Sequence, residues 1–345
     1  MADFKIQSIT PVAGKIKVGS SDVSKIYRGV TLVWPTTFVC SFTFTSKAQL
    51  QTAVNLWVSN RASAISTYGQ INLWCTGAIT DMSYLFFNKT TFNDDISNWD
   101  VSSVINMSNM FLNAALFNQD LNTWDTSSVT NMESVFRHAD VFNGKIGAWD
   151  VSSVTNMSFM FKMNNNFLGA FNQDISTWNV SSVIDMEQMM FRQSFNRDLS
   201  SWNVSSVTNM EGMFGDAFYF NQDISAWDVS SVTDMGTMFS GGATVPNMSM
   251  AFNNGQAAGI GNWDVSSVRN MQGLFNNASA FNQNIGAWDV SSVLLGDMNN
   301  MFDGATIFNR DLTGWCVTTF TTEPNGFSAS SALTTANKPD WGNCP

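Results

Sequence analysis

The sequence predicts an α/β solenoid, a leucine-rich-repeat-like array of about ten 25-residue coils with a small β module at its N-terminus. Three observations carry that expectation. The phrase FNQDISTWNVSSVIDMEQMMF, from Phe171 to Phe191, returns in close copies at Phe117, Phe220 and Phe281. Tryptophan keeps its register at 74, 99, 124, 149, 178, 202, 227, 263, 288 and 315, mostly in steps of 24 or 25 residues. Finally, 28 Phe, 20 Met and 13 Trp stand against only 12% charged residues, so each repeat carries more apolar surface than it can bury alone. Stacking such repeats gives one continuous core. The longer Trp steps coincide with insertions: KMNNNFLGA around Asn164, SGGATVPNMSMAFNNGQAAG after Phe239 and LLGD after Val293.

In chain order, residues 1–37 alternate apolar positions (Ile16, Val18, Val23, Ile26, Tyr27, Val30, Leu32, Val33) between Gly and Ser turns, which predicts a strand-rich module. Residues 38–70 form a helical N-terminal cap, with an amphipathic helix from about Lys47 to Ser63. The array spans 71–320, and a C-terminal cap spans 321–345. Within a coil, Ile96-x-x-Trp99-x-Val101 has the L-x-x-L-x-L spacing of a leucine-rich repeat. A strand there turns Trp99 and Val101 inward and Asp100 outward. Val104, Met107, Met110, Phe111 and Ala114 then share one face of a helix or of two helical turns. Methionine fills irregular gaps between the rings. Asn after Phe, as at Asn93 and Asn118, and Asn or Asp before Met, as at Asp81 and Asn106, are placed to bond turn backbones of their own and the next coil.

The four cysteines sit at the ends. Cys75 and Cys316 follow the first and last register tryptophans, and Cys40 and Cys344 lie outside the array. Three pairings are formally open, and a reducing compartment would leave free thiols. The end-symmetric pairing, Cys40–Cys75 and Cys316–Cys344, staples each cap to its end coil.

Charge excludes several classes. A net charge of −11 and a pI near 4.4 leave no basic footprint for nucleic acid or an anionic membrane. No apolar run is long enough to span a bilayer. MADFKIQSITPV lacks the basic and apolar segments of a secretory signal peptide. No nucleophile elbow, phosphate loop or zinc motif occurs, and a single His, His138, with no C-x-x-C predicts no metal centre. The carboxylates recur by repeat, as scaffold positions do, so no catalytic residue is expected. An enzyme would need a carboxylate pair at glycosidase spacing.

Residues 71–320 resemble the BspA-like leucine-rich-repeat surface proteins, a family rich in phrases of the FNQDISNWDVSSVTNMSNMF type. TSKAQLQTAVNLWVSNRASAISTYGQINLW resembles that family's entry into the array, and EPNGFSASSALTTANKPDWGNCP its exit, so the resemblance extends over 38–345. It implies extracellular recognition, by adhesion or by binding proteins or glycans, and no enzyme. The chain departs from the family in having no signal peptide and no visible anchor. VSKIYRGVTLVWP, within 1–37, resembles a segment of tail and other structural proteins of tailed bacteriophages. Together the two resemblances imply a non-enzymatic virion protein of tail, fibre or capsid surface. Residues 1–37 would dock to other virion proteins or sister subunits, and the solenoid would meet a host protein or glycan. A bacterial cell-surface adhesin is the alternative, and an ordinary β cap is the plain reading of 1–37.

The candidate binding residues form the outward ladder after each Trp: Asp100, Asp125, Asp150, Asn179, Asn203, Asp228, Asp264 and Asp289. Strands about 4.8 Å apart would bring these carboxylates into repulsion unless they are solvated, hydrogen-bonded or bridged by cations. Neighbouring pairs such as Ser102-Ser103 can donate to them, which makes a polar scaffold ladder. A Ca²⁺-bridged or ligand-binding face is the functional alternative, although the repeat lacks a D-x-D-x-D cluster. The Gly-rich stretch 241–262 is a further candidate, as a specificity loop or subunit contact.

Overall fold

The computed structural model describes the backbone of residues 16–18, 21–23, 26–28 and 31–34, and residues 39–163, 168–242 and 250–345 in full. At the N-terminus, β1 (Ile16–Val18) pairs antiparallel with β2 (Ser21–Val23), and β3 (Ile26–Arg28) with β4 (Thr31–Trp34). The remainder of the 1–37 module lies outside the described residues.

The cap that follows is built from one short strand and two helices. β5 (Phe42–Thr43) runs parallel to β6 (Trp74–Cys75). Between them, α1 (Lys47–Ser59) begins at Ser46, whose hydroxyl accepts from the Gln49 N–H, and buries Leu50, Ala53, Val54 and Trp57. The expected single helix to Ser63 is broken at Asn60. That residue ends α1 and caps α2 (Arg61–Tyr68) by accepting from the Ser63 N–H at 3.1 Å. The cap is tied to the first coil by polar bonds: Lys47 to Asp81 at 3.0 Å, Gln51 to the Leu85 carbonyl at 3.0 Å and Trp57 Nε1 to Asp94 at 2.8 Å.

From Trp74 on, successive repeats stack in parallel register, but each repeat is built from turns. The expected strand at Trp99–Val101 is only a short link. Trp99 N–H closes a turn on Ile96 and Val104 N–H closes another on Val101, leaving no length for a ladder. Parallel bridges form farther along, at the residue before Met: Asp81 to Asn106, Asn106 to Asn131, Asn131 to Asn156, and onward to Asn270.

The expected helical segment is also a run of turns. In the Met107–Ala114 segment, the N–H groups of 110, 112 and 114 close turns within the coil. Those of 107, 109, 111 and 113 donate to carbonyls of the next coil. This alternation satisfies every second amide across coils, which an α-helix, bonded only to itself, cannot do. In most coils it uses a left-handed residue twice. Asn109 and Asn113 both have φ of +58°, and Ser134 and His138 both +56°. Glycine serves the same places at Gly212 and Gly273.

The inward residues form continuous columns. Trp124, Trp149, Trp178, Trp202 and Trp227 stack in near-parallel succession at 6.2–6.5 Å. Phe86, Phe111, Phe136 and Phe161 form a second column at 5.1–5.7 Å, and Phe92, Phe117, Phe142 and Phe171 a third. From Trp99 to Trp315, every register Trp but Trp263 donates its Nε1–H to a carbonyl one coil earlier, as Trp149 does to Leu121 at 2.8 Å and Trp227 to Leu199 at 2.9 Å. Trp263, which follows the longest insertion, is buried with its Nε1 unpartnered.

The C-terminal end closes by continuation. At the C-terminus, Phe302 N–H donates to Phe327 O and Leu312 N–H to Asn337 O. Gly326 and Ser330 repeat the left-handed positions, so 321–345 repeats the bonding of one more coil. Cys40 pairs with Cys75 and Cys316 with Cys344, the end-symmetric arrangement, and no cysteine is free.

The insertions differ in how far they leave the stack. Residues 164–167 and 243–249 lie outside the described residues, and with the latter goes the first part of the 241–262 candidate loop. Its second part rejoins the array. Phe252 stacks between Phe220 and Phe281, and Asn254 is fully buried, accepting from Ile224 N–H and donating to Ser225 and Ala257 O.

Candidate recognition surface

The predicted ladder is exposed along its whole length, from Asp100 to Asp289. Each member is engaged within its own coil. Asp100 Oδ1 accepts from the Ser102 N–H at 3.1 Å and its hydroxyl at 2.6 Å, and Asp125, Asp228 and Asp264 repeat the pair with Ser127, Ser230 and Ser266. Asp150, Asn179, Asn203 and Asp289 each accept the N–H two residues on, from Ser152, Ser181, Ser205 and Ser291. These bonds to serine hold the Asp150, Asp228 and Asp264 carboxyls below the usual carboxylate range. The ladder is thus a row of turn-stabilising groups, each oriented by its own serine. Among the described residues no group of three or more His, Cys, Asp or Glu side chains gathers to hold a metal ion.

Asparagine after Phe joins the coils. Asn118 N–H donates to Asn93 Oδ1, Asn143 N–H to Asn118 Oδ1 and Asn172 N–H to Asn143 Oδ1, at 2.8–2.9 Å, and the row continues to Asn282. Asn or Asp before Met instead turns back on its own coil, as Asn106 does to the Ser108 N–H. Both are frame positions.

A different surface varies. The turn run from Met to Ala carries chemically unlike residues at equivalent places: Tyr84, Asn109, Ser134, Phe159, Gln188 and Gly212 in one column, and Phe87, Leu112, Arg137, Lys162, Phe191 and Gly215 in another. In a stack whose frame barely changes, such columns are where the repeats differ, from exposed Tyr84 to buried Ser134.

The third to sixth coils concentrate charge on this turn face. Arg137 and Lys162 both lie over the Phe159 ring, at 5.5 and 4.9 Å from its centroid, and Lys162 is also 5.6 Å from that of Phe191. Burial, reinforced by Arg137, pulls the Lys162 ammonium down against the opposing pull of Glu187 and Glu211. Burial, with Arg137 and Lys162, holds His138 below its usual value. Glu187 is pushed up by burial and by Glu211 and Asp185, and Glu211 by burial and by Asp234 and Asp185. Burial alone raises Asp140. Beside them Arg192 and Asp216 form a buried ion pair at 2.8 Å, and Asp216 also accepts from the Gly242 N–H. Perturbed groups gathered on one face mark a functional candidate. Sequence reasoning missed them because each occupies a repeat position whose residue changes from coil to coil. The signal was the exception to the repeat.

No helix among the described residues is long and apolar enough to cross a membrane. A family model described as "Mycoplasma protein of unknown function, DUF285" matches residues 55–170, 162–246 and 246–343. No curated protein and no solved structure matches the chain.

Proposed function

The chain belongs to the DUF285 family, and from that premise we propose that it is a non-enzymatic recognition protein of a phage virion, a solenoid displayed for adhesion or receptor recognition and attached through residues 1–37. The observation that carries the recognition half is the contrast between an almost unvarying frame and a varied, charge-bearing turn face. Two features support display outside a reducing cytosol: all four cysteines are paired, and each pair ties an end coil to its cap. The stacked, hydrogen-bonded coils make a stiff support, the setting in which loops and turns serve binding. The attachment half rests on the likeness of VSKIYRGVTLVWP to phage structural segments and on the two short antiparallel strand pairs there. A BspA-like cell-surface adhesin uses the same recognition face and differs only in what holds the chain in place.

Light scattering of the full chain and of a chain starting at Phe38 tests the attachment. Assembly of the full chain alone supports residues 1–37 as an assembly module. If both are monomers, docking to sister subunits is wrong, and the adhesin reading is favoured.

A further inference from the structure

We propose that the turn face of the third to sixth coils binds an acidic saccharide, a sugar ring bearing one carboxylate among hydroxyls. The proposal rests on the reading of the array as a recognition module and gives that reading a place and a ligand class.

Two cations converge there on one aromatic ring, Arg137 and Lys162 over Phe159. Among the described residues neither makes an ion pair, whereas Lys47, Arg61, Lys145, Arg192 and Lys338 each do. Two like charges held together and half-buried call for an anion between them. Arginine supplies a planar fork suited to a carboxylate, and lysine a point charge.

Buried polar atoms at the same place are unmet. Ser134 is 1% exposed, and its Oγ has no hydrogen-bond partner. Arg137 Nε is buried without one as well. Ser134 and Arg137 belong to a single turn, closed by the Arg137 N–H on the Ser134 carbonyl at 3.2 Å. Native structures rarely leave such groups unsatisfied, and a bound oxyanion with neighbouring hydroxyls supplies what they lack.

The surroundings select the rest of the ligand. Phe159 and Phe191 offer half-buried apolar ring faces beside the cations. Glu187 and Glu211 follow on the next two coils, near enough for their charges to act on Lys162. They accept hydrogen bonds from hydroxyls but repel a second and third negative charge. An acidic peptide or a phosphate chain is therefore disfavoured, and a single carboxylate set among hydroxyls on a ring is matched.

The test is a saturation-transfer NMR titration of the full chain. The probes are the methyl glycosides of glucuronic acid and N-acetylneuraminic acid, each beside the methyl ester of the same glycoside. The acids are expected to bind, with the uncharged esters, Arg137→Gln and Lys162→Gln each weaker by roughly tenfold or more, and Lys162→Arg close to the parent. Lys145→Gln, whose cation sits elsewhere in an exposed pair with Asp120, is expected to bind as the parent does. Unchanged circular dichroism of the variants separates loss of contact from loss of fold. Absence of binding by both acids, equal binding of acid and ester, or wild-type binding by Arg137→Gln and Lys162→Gln overturns the proposal. Assembly through residues 1–37 is read by light scattering in these same variants, so failure of this site and failure of the virion reading are separate results.

Discussion

Trp263 and Trp288 make a matched pair for measuring what the indole–carbonyl bond contributes to the stack. They occupy the same place in adjacent coils and stack on each other at 6.4 Å with an interplanar angle of 5°. Both are buried, at 5% and 2% exposure. Trp288 Nε1 donates to the Ile260 carbonyl at 2.9 Å, whereas Trp263 Nε1 has no partner. The residue in the acceptor's place for Trp263 is Ile224, separated from it by the longest insertion in the array. Trp→Phe at either site removes the same ring atoms, a loss smaller than the about 3–5 kcal/mol of truncation to Ala. Only Trp288→Phe also removes a hydrogen bond, worth about 0.5–1.5 kcal/mol net, since the Ile260 carbonyl keeps the Trp263 backbone N–H as a partner. Trp263→Phe, in contrast, removes an N–H that was buried unmet and so recovers part of its desolvation. Trp288→Phe is therefore expected to be less stable than Trp263→Phe by about 1–2 kcal/mol. The assay is guanidinium unfolding of the oxidised full chain, followed by far-UV circular dichroism. Adjacent coils share nearest-neighbour coupling, so both variants report on one cooperative unit. Equal losses, or a larger loss for Trp263→Phe, would refute the reasoning and place the value of the Trp column in stacking alone.

Reduction of Cys40–Cys75 and Cys316–Cys344, which close separations of 35 and 28 residues, is expected to cost about 3–4 kcal/mol each by the chain-entropy relation, read as a fall in unfolding midpoint with added reductant. Asp216→Ala breaks a buried ion pair with Arg192 and leaves the Gly242 N–H without its carboxylate. A loss of about 3 kcal/mol is expected in the same unfolding experiment, and one below about 1 kcal/mol would refute it. Glu187 and Glu211 have folded pKa values above their unfolded ones, so their ionised forms oppose folding at neutral pH and that opposition fades as pH falls into the ordinary carboxylate range. Glu187→Gln is accordingly expected to raise the melting temperature at pH about 7 and to lose that gain by pH about 4, since partial exposure keeps the effect within a fraction of a kcal/mol. Asp228 and Asp264 titrate in the opposite sense. Their lowered values contribute stability above the unfolded pKa and lose it as pH falls through the folded one, so Asp228→Ala is expected to flatten the acid limb of a stability–pH curve.

Much of the interior was legible because its signal repeats. The places of Trp99, Val101, Met107 and Phe111 in the core follow from spacing, and each is buried. The turn-built character was not legible from that spacing. Apolar residues at three- and four-residue steps gather on one side of a helix and equally on one side of a chain of turns. The choice lies in where alternate N–H groups find acceptors, and those acceptors belong to another coil. A local cue was present in the Asn and Gly residues at the left-handed positions, such as Asn109, Asn113, Gly212 and Gly304, and it marks turns in place of helix.

The candidate site shows the same division. Reading by consensus directs attention to Asp100 and its equivalents, because they recur, and recurrence marks the frame. Arg137, Lys162, Glu187 and Glu211 lie about one repeat apart in sequence and share no local motif. By itself the sequence determined that the chain repeats, which side chains its core needs and where its ends are, since periodicity and composition are local and countable. Only the tertiary structure decided that the coils are made of turns and that two cations meet over Phe159. Each of these depends on contacts between coils, whose spacing along the chain is set by the repeat and whose spacing in space is set by the stack.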